Sequence, residues 1–303
     1  MKVNDVTCEI CDSSRIVQFI YREIWEIEME LTNRRVIITG AGRGIGRATA
    51  VAMGREGARL CLWGRTKSDL VESQELVQSV GAEVSTIVAD VSITSDVERA
   101  WQAIAYEWDG VDVLVNNAGV QGPMGSMHEI NVEDWWRTIE INLRSTFLCS
   151  KIVLPKMIKQ NRGKIINFSG GGAVTPRPFF SAYSASKAAI VRLTETLASE
   201  VEKNHIDVNA IAPGAVNTQM LEQRLAAGLK IGEFERDAAK DLIQNGGTDI
   251  EKPAALAVFL ASDRSNGLSG RLLSAIWDPW EKMDFKKIME TEIFTMRRLD
   301  IDG

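Results

Sequence analysis

The chain has 303 residues, 45% of them apolar and 25% charged, and a net charge of −6. A mildly acidic chain with no basic block lacks the footprint of a nucleic-acid binder, and no run approaches the ~18 uninterrupted apolar residues of a membrane span. The composition is that of an ordinary soluble globular protein, of a length that admits one large domain or two small ones.

In chain order, residues 1–30 stand outside the pattern that follows and read as an N-terminal extension. They lack a basic region followed by an apolar run and a cleavage site, so no signal peptide is expected. The stretch "RIVQFIYREIWEIEME" reads as a short amphipathic helix, and the segment before Met29 as an added arm or an upstream start. Cys8 and Cys11 form a CxxC, but zinc needs two further ligands, and His128 and His205 are the only histidines. No metal site is expected, and the cysteines read as free thiols of a reducing cytoplasm.

From Arg35 onward, short β-branched runs alternate with helix-like stretches. "RVIITG" is a strand, "GIGRATAVAMGREG" a helix closing on glycine, "ARLCLWG" a strand and "KSDLVESQELVQSVG" a helix. "EVSTIVAD" and "VDVLVNNAG" are strands flanking a helix with Thr94 as its N-cap, and one long helix spans about 132–160. "GKIINFSG" and "IDVNAIAPG" flank the helix "SAYSASKAAIVRLTETLASEVEKN"; "EKPAALAVFLASD" is a last helix and "SGRLLSAIW" a seventh strand. Strands apolar on nearly every residue are buried on both faces. The expected fold is α/β, a doubly wound parallel seven-stranded sheet, in one domain over 31–277. Residues 278–303 form a charged C-terminal tail.

"TGAGRGIG", Thr39 to Gly46, lies between the first strand and the first helix. Its glycines let the backbone approach a pyrophosphate, and the helix N-terminus offers free N–H groups to the charge. A carboxylate ending the second strand would bond a ribose 2′-hydroxyl and favour NAD; here stand Gly64 and Arg65, with Arg43 close by in the loop. Two guanidiniums suit a 2′-phosphate, so NADP(H) is preferred, with NAD(H) as the alternative.

With these motifs the chain resembles the short-chain dehydrogenase/reductase family. Thr39, Gly40, Arg43, Gly44, Ile45 and Gly46 match its TGxxxGxG loop, and Asp90-Val91 the pair ending the third strand. Asn117, Ala118 and Gly119 belong to its NNAG, Asn142 to its helix asparagine, and Tyr183 and Lys187 to its YxxxK. Pro213, Gly214, Val216 and Thr218 match its PG segment. The resemblance implies cofactor contacts for all of these except Asn142. It makes Tyr183 the general acid/base, with Lys187 lowering the phenol's pKa and bonding the nicotinamide ribose, and Asn142 holding a water that links Lys187 to solvent.

The family's serine stands thirteen residues before the tyrosine, which here is Gly170, with Ser169 one residue further. Glycines at 170–172 permit unusual backbone angles, so a shifted Ser169 is taken as the fourth catalytic residue. The rival reading is that the role is vacant, or that a glycine N–H polarises the substrate oxygen. The sequence departs again after the seventh strand, where Trp277 and Trp280 read as packing groups, or else as lining of the active-site mouth or a subunit contact.

The reaction implied is interconversion of a secondary alcohol and a ketone on a small molecule. The alternatives are a cofactor-binding regulator without turnover and a sugar epimerase or dehydratase on the same fold. A lid over 217–248 carries Gln219, Gln223, Arg224 and Lys230, which with Arg177 leans towards a polar or anionic substrate. Helix pairing of 132–160 and the Tyr183 helix across two-fold axes would give a homodimer or homotetramer.

Overall fold

The structure is a computed structural model that describes residues 29–297. The candidate helix and CxxC of the N-terminal extension, and the last six residues, lie outside the described residues. Seven strands form one sheet: β1 (Arg35–Thr39), β2 (Arg59–Gly64), β3 (Val84–Val88), β4 (Val113–Asn116), β5 (Gly163–Phe168), β6 (Ile206–Ala212) and β7 (Leu272–Ser274). Their order is β3-β2-β1-β4-β5-β6-β7 and every pairing is parallel, as the sequence pattern indicated. The order reverses between β1 and β4, and the crevice outside their carboxyl ends is where an open α/β sheet takes a ligand.

Alternate residues of a strand serve opposite faces. Val36 and Ile38 of β1 join Leu60 and Leu62 of β2 in one core, while Ile37, Cys61 and Trp63 join a second core on the other face. The first is covered by α1 (Gly44–Arg55), α2 (Lys67–Ser79) and α9 (Glu251–Ala261), and the second by α3 (Thr94–Ala105), α5 (Ser145–Gln160) and α6 (Ser181–Val201). Helix α9 is buried on nearly every residue, which its unbroken apolar run requires.

Three details depart from the sequence pattern. The long helix is interrupted: α4 (Val132–Ile139) gives way to a π turn over Glu140–Arg144 before α5 begins. The lid stretch 217–248 holds two helices, α7 (Gln219–Ala227) and α8 (Gly232–Asn245). Beyond the short β7, the tail turns back through α10 (Phe285–Met289). The Leu272 N–H donates to the Phe294 carbonyl at 2.8 Å, and Arg271 Nη2 donates to the Ile288 and Thr291 carbonyls at 3.1 and 2.9 Å. Trp280 and Phe285 pack against Phe259, so Trp280 is a packing group, while Trp277 is exposed.

Candidate active site

The loop after β1 turns at Gly40, whose φ of +63° is a left-handed value that suits glycine. A side chain at Gly46 would collide with the Gly40 carbonyl, so only a bare residue lets α1 start this close. Arg43 at the start of α1 provides no capping bond, and the first turn has no acidic residue. The N–H groups and dipole of that terminus are therefore free for an anion. Ile45 packs on the core beneath.

Several of the predicted contact residues brace this loop. Thr39 Oγ1 accepts the N–H groups of Asn117 and Ala118 at 3.1 Å each. Asn117 Nδ2 donates to the carbonyls of Thr39 and Gly40 at 3.1 and 3.0 Å. Arg47, which sequence reasoning missed, donates to the Gly42 carbonyl, to Ser73 and to Glu72, tying loop to α2. The side chains of Arg43 and Arg65 are exposed and make no hydrogen bond or ion pair among the described residues. Asp90 accepts from the Ser92 N–H and hydroxyl and from Arg137 Nη2 at 3.2 Å, and these partners hold its carboxyl below the usual range against the opposing effect of burial. Arg137 gave no sequence signal, because α4 is remote from β3 in the chain.

Val91 is buried in the second core. Gly214 lies against Ile276 and Thr248, and Val216 forms a lone bridge with Thr248 that sets the Pro213–Thr218 segment. The Thr218 methyl stands 3.5 Å from where a Gly44 side chain would begin, so this segment roofs the glycine loop. The residues fit a dinucleotide: an uncapped helix N-terminus and a glycine-rich loop, with two exposed arginines whose guanidiniums have no partner among the described residues.

At its other end, α6 presents Tyr183 and Lys187 one turn apart, 8% and 4% exposed. Lys187 Nζ lies 5.6 Å from the Tyr183 ring centroid and donates to the Phe168 carbonyl at 2.8 Å. Burial lowers the Lys187 amine to about 8. Burial also raises the Tyr183 phenol, and the charges that oppose the rise are Arg177 and Arg224.

Asn142 sits in the π turn. Its Nδ2 donates to the Val120 carbonyl and to Ser186 Oγ, both at 2.9 Å, and its Oδ1 accepts the Val120 N–H at 2.8 Å. Both amide hydrogens are thus committed to fixing the loop after β4 and helix α6. Gly119 leaves the space beside them open: a Cβ there would lie 3.2 Å from Asn142 Oδ1 and 3.5 Å from Lys187 Nζ.

The expectation for Ser169 is corrected. Its hydroxyl is buried and donates to the Lys187 backbone carbonyl at 3.3 Å, away from the phenol. The residue facing Tyr183 is Gly170, where a Cβ would collide with the Tyr183 oxygen and lie 3.2 Å from Cζ. The cause is the register at the end of β5: the Ser169 N–H stays in the sheet, donating to the Ile211 carbonyl at 2.8 Å, so its side chain takes the core side.

Among the described residues, no group of three or more His, Cys, Asp or Glu could hold a metal, and no helix is long and apolar enough to cross a membrane. The short chain dehydrogenase family matches residues 34–227. The uncharacterized oxidoreductase YxbG of Bacillus subtilis (strain 168) is 36% identical over 252 residues, 81% of this chain and 90% of that one. The crystal structure of levodione reductase superposes with a TM-score of 0.75 at 33% identity, covering 80% of this chain and 96% of that chain. That of NAD+-bound xylitol dehydrogenase gives 0.75 at 30% identity, over 81% and 98%. The crevice, the Tyr183–Lys187 pair and these likenesses lead to one assignment: the chain belongs to the short-chain dehydrogenase/reductase family and is an NAD(P)-dependent oxidoreductase.

Proposed function

We propose that the protein interconverts a secondary alcohol and a ketone on a small molecule, with NADP(H) as its preferred cofactor. The observation that carries the reading is the buried Tyr183–Lys187 pair, together with exposed Arg43 and Arg65, whose guanidiniums have no partner among the described residues. The cofactor when bound supplies or accepts the hydride. Arg43 and Arg65 hold its 2′-phosphate, and the N–H groups of α1 its pyrophosphate. Asp90 and Val91 meet the adenine, and Gly119, Val216 and Thr218 border the nicotinamide half. Tyr183 donates a proton to the carbonyl oxygen in reduction and takes one back in oxidation. Lys187 holds the nicotinamide ribose, and Asn142 fixes the segments on which both stand.

NADPH oxidation over ketones, keto-sugars and keto-acyl thioesters tests the reaction. Comparing kcat/KM for the two cofactors tests the preference, and Arg65→Asp should move it towards NAD(H). An enzyme that already favours NAD(H) contradicts the preference. The catalytic domain is read as 31–277, the compartment as a reducing cytoplasm in keeping with free Cys61 and Cys149, and the assembly as a homodimer or homotetramer.

One observation favours a second reading, a cofactor-binding regulator: the side of the phenol where a serine is expected carries Gly170. Cofactor binding without turnover on any carbonyl would establish it.

A further inference from the structure

Of the three glycines after Ser169, Gly170 faces Tyr183 and the other two border an arginine. A Cβ at Gly172, whose φ is +90°, would lie 3.1 Å from Arg177 Cβ, and one at Gly171 would lie 3.9 Å from Arg177 Nη1. Laid across this saddle, the Arg177 guanidinium stacks on Phe180 with Cζ 3.9 Å from the ring centroid, and reaches 6.0 Å from the Tyr183 ring centroid. The lid supplies the rest. Glu235 of α8 accepts Arg177 Nε and Nη2 at 2.8 and 2.9 Å, and Arg224 Nη2 of α7 at 2.8 Å. All three side chains are between 11% and 15% exposed.

Two guanidiniums and one carboxylate leave one positive charge in a largely desolvated wall beside the reacting phenol. Glu235 stays ionised, since the two guanidiniums outweigh the upward push of burial. Arg224 Nε is buried with no acceptor among the described residues, and neither Nη1 group is bonded there. A buried donor without an acceptor is costly, and an uncompensated charge more so. A ligand that brings an anionic group removes both costs.

We infer that Arg177 and Arg224, held together by Glu235, recognise an anionic group on the substrate, so that the enzyme acts on short keto acids and hydroxy acids rather than on neutral ketones. This rests on the oxidoreductase reading for the reaction and on the arginine cluster alone for the anion. A cluster built only to latch the lid would leave acid and ester equivalent.

The test is calorimetric binding, with NADPH present, of three- to six-carbon keto acids and their methyl esters. The best acid should bind the wild type at least about tenfold tighter than its ester, the scale of one charge-assisted hydrogen bond. That ratio should collapse in Arg177→Met and in Arg224→Met, and persist in Lys230→Met, which removes an exposed cation of the lid. Should either methionine variant fail to fold by circular dichroism, Arg177→Lys and Arg224→Lys keep the charge, lose the fork and should still reduce the ratio. Equal binding of acid and ester, no acid bound at millimolar concentration, or equal collapse in Lys230→Met overturns the inference. Acid binding without NADPH oxidation refutes the reaction and keeps the anion site; oxidation of neutral ketones with no acid preference does the reverse.

Discussion

At the scale of the residue, the phenol and Gly170 are mutually fitted, and this fixes what substitution can do. Gly170→Ser places a Cβ against the Tyr183 ring, so it should displace the acid/base instead of restoring a hydroxyl. Overpacking of this kind costs roughly 1–3 kcal/mol. The expected outcome is a kcat reduced at least about tenfold, together with a lower Tm. Ser169→Ala should lose only about 1 kcal/mol of stability and leave kcat within about twofold, since its hydroxyl bonds a backbone carbonyl away from the phenol. Steady-state kinetics on both variants separate the two roles. Lys187 adds a pH dependence. Its amine lies near 8 because burial disfavours the charged form, while ribose oxygens accepting from it would favour that form. Cofactor affinity should therefore be highest below pH 8 and fall as pH rises through that value, by up to about tenfold per unit. Titration of cofactor binding by fluorescence between pH 7 and 9.5 checks this, and a flat profile contradicts it. The Tyr183–Lys187 pair was legible in the sequence because helical spacing alone brings the two together. Ser169 was not, because a one-residue register depends on where β5 stops pairing with β6.

Elements show the same division. The β–α alternation declares itself through short runs rich in β-branched and apolar residues, such as RVIIT and VLVN, and all seven strands were legible for that reason. The π turn was hidden, because the run from Val132 to Gln160 keeps a helical pattern through the inserted residue. Such turns recur at functional sites, and this one aims Asn142 at the loop after β4 and at α6 at once. Asn142→Ala would strand the Val120 amide and carbonyl, while the Ser186 hydroxyl keeps its bond to the Tyr183 carbonyl. The expected cost is on the order of 2–4 kcal/mol, with weaker cofactor binding because the loop carrying Gly119 loses its brace. Denaturant unfolding and cofactor titration on the same variant measure both. The Arg177–Glu235 pair could not be read from the chain, since 58 residues separate its members and α8 otherwise looks like a solvated amphipathic helix.

At the scale of the whole molecule, two surfaces can be tested for a part in association. Val132, Trp136 and Phe147 stand 62%, 58% and 48% exposed along α4 and α5. Val132 and Trp136 lie one turn apart on α4, and large apolar groups exposed so close together mark a candidate interaction surface. Trp136→Glu should lower the assembly state in sedimentation at micromolar concentration, and a wild type that is already monomeric would contradict the assignment. The other surface is the β7 edge, which the returning tail covers through Phe294 and the carbonyls bound by Arg271. Ending the chain at residue 283 should uncover that edge and promote aggregation, seen as concentration-dependent light scattering.

The same cover has a consequence in time. The sheet is built outward from β1, so the nucleotide half can assemble while later residues are still being made, but the free edge of β7 is closed only by residues that follow it in the chain, up to Phe294. At roughly 5–20 residues per second, the tail follows β7 out of the ribosome by one to several seconds. For that interval every nascent copy exposes an adhesive edge, and a codon change that slows synthesis after Ser274 should lower soluble yield without altering a single contact of the finished protein.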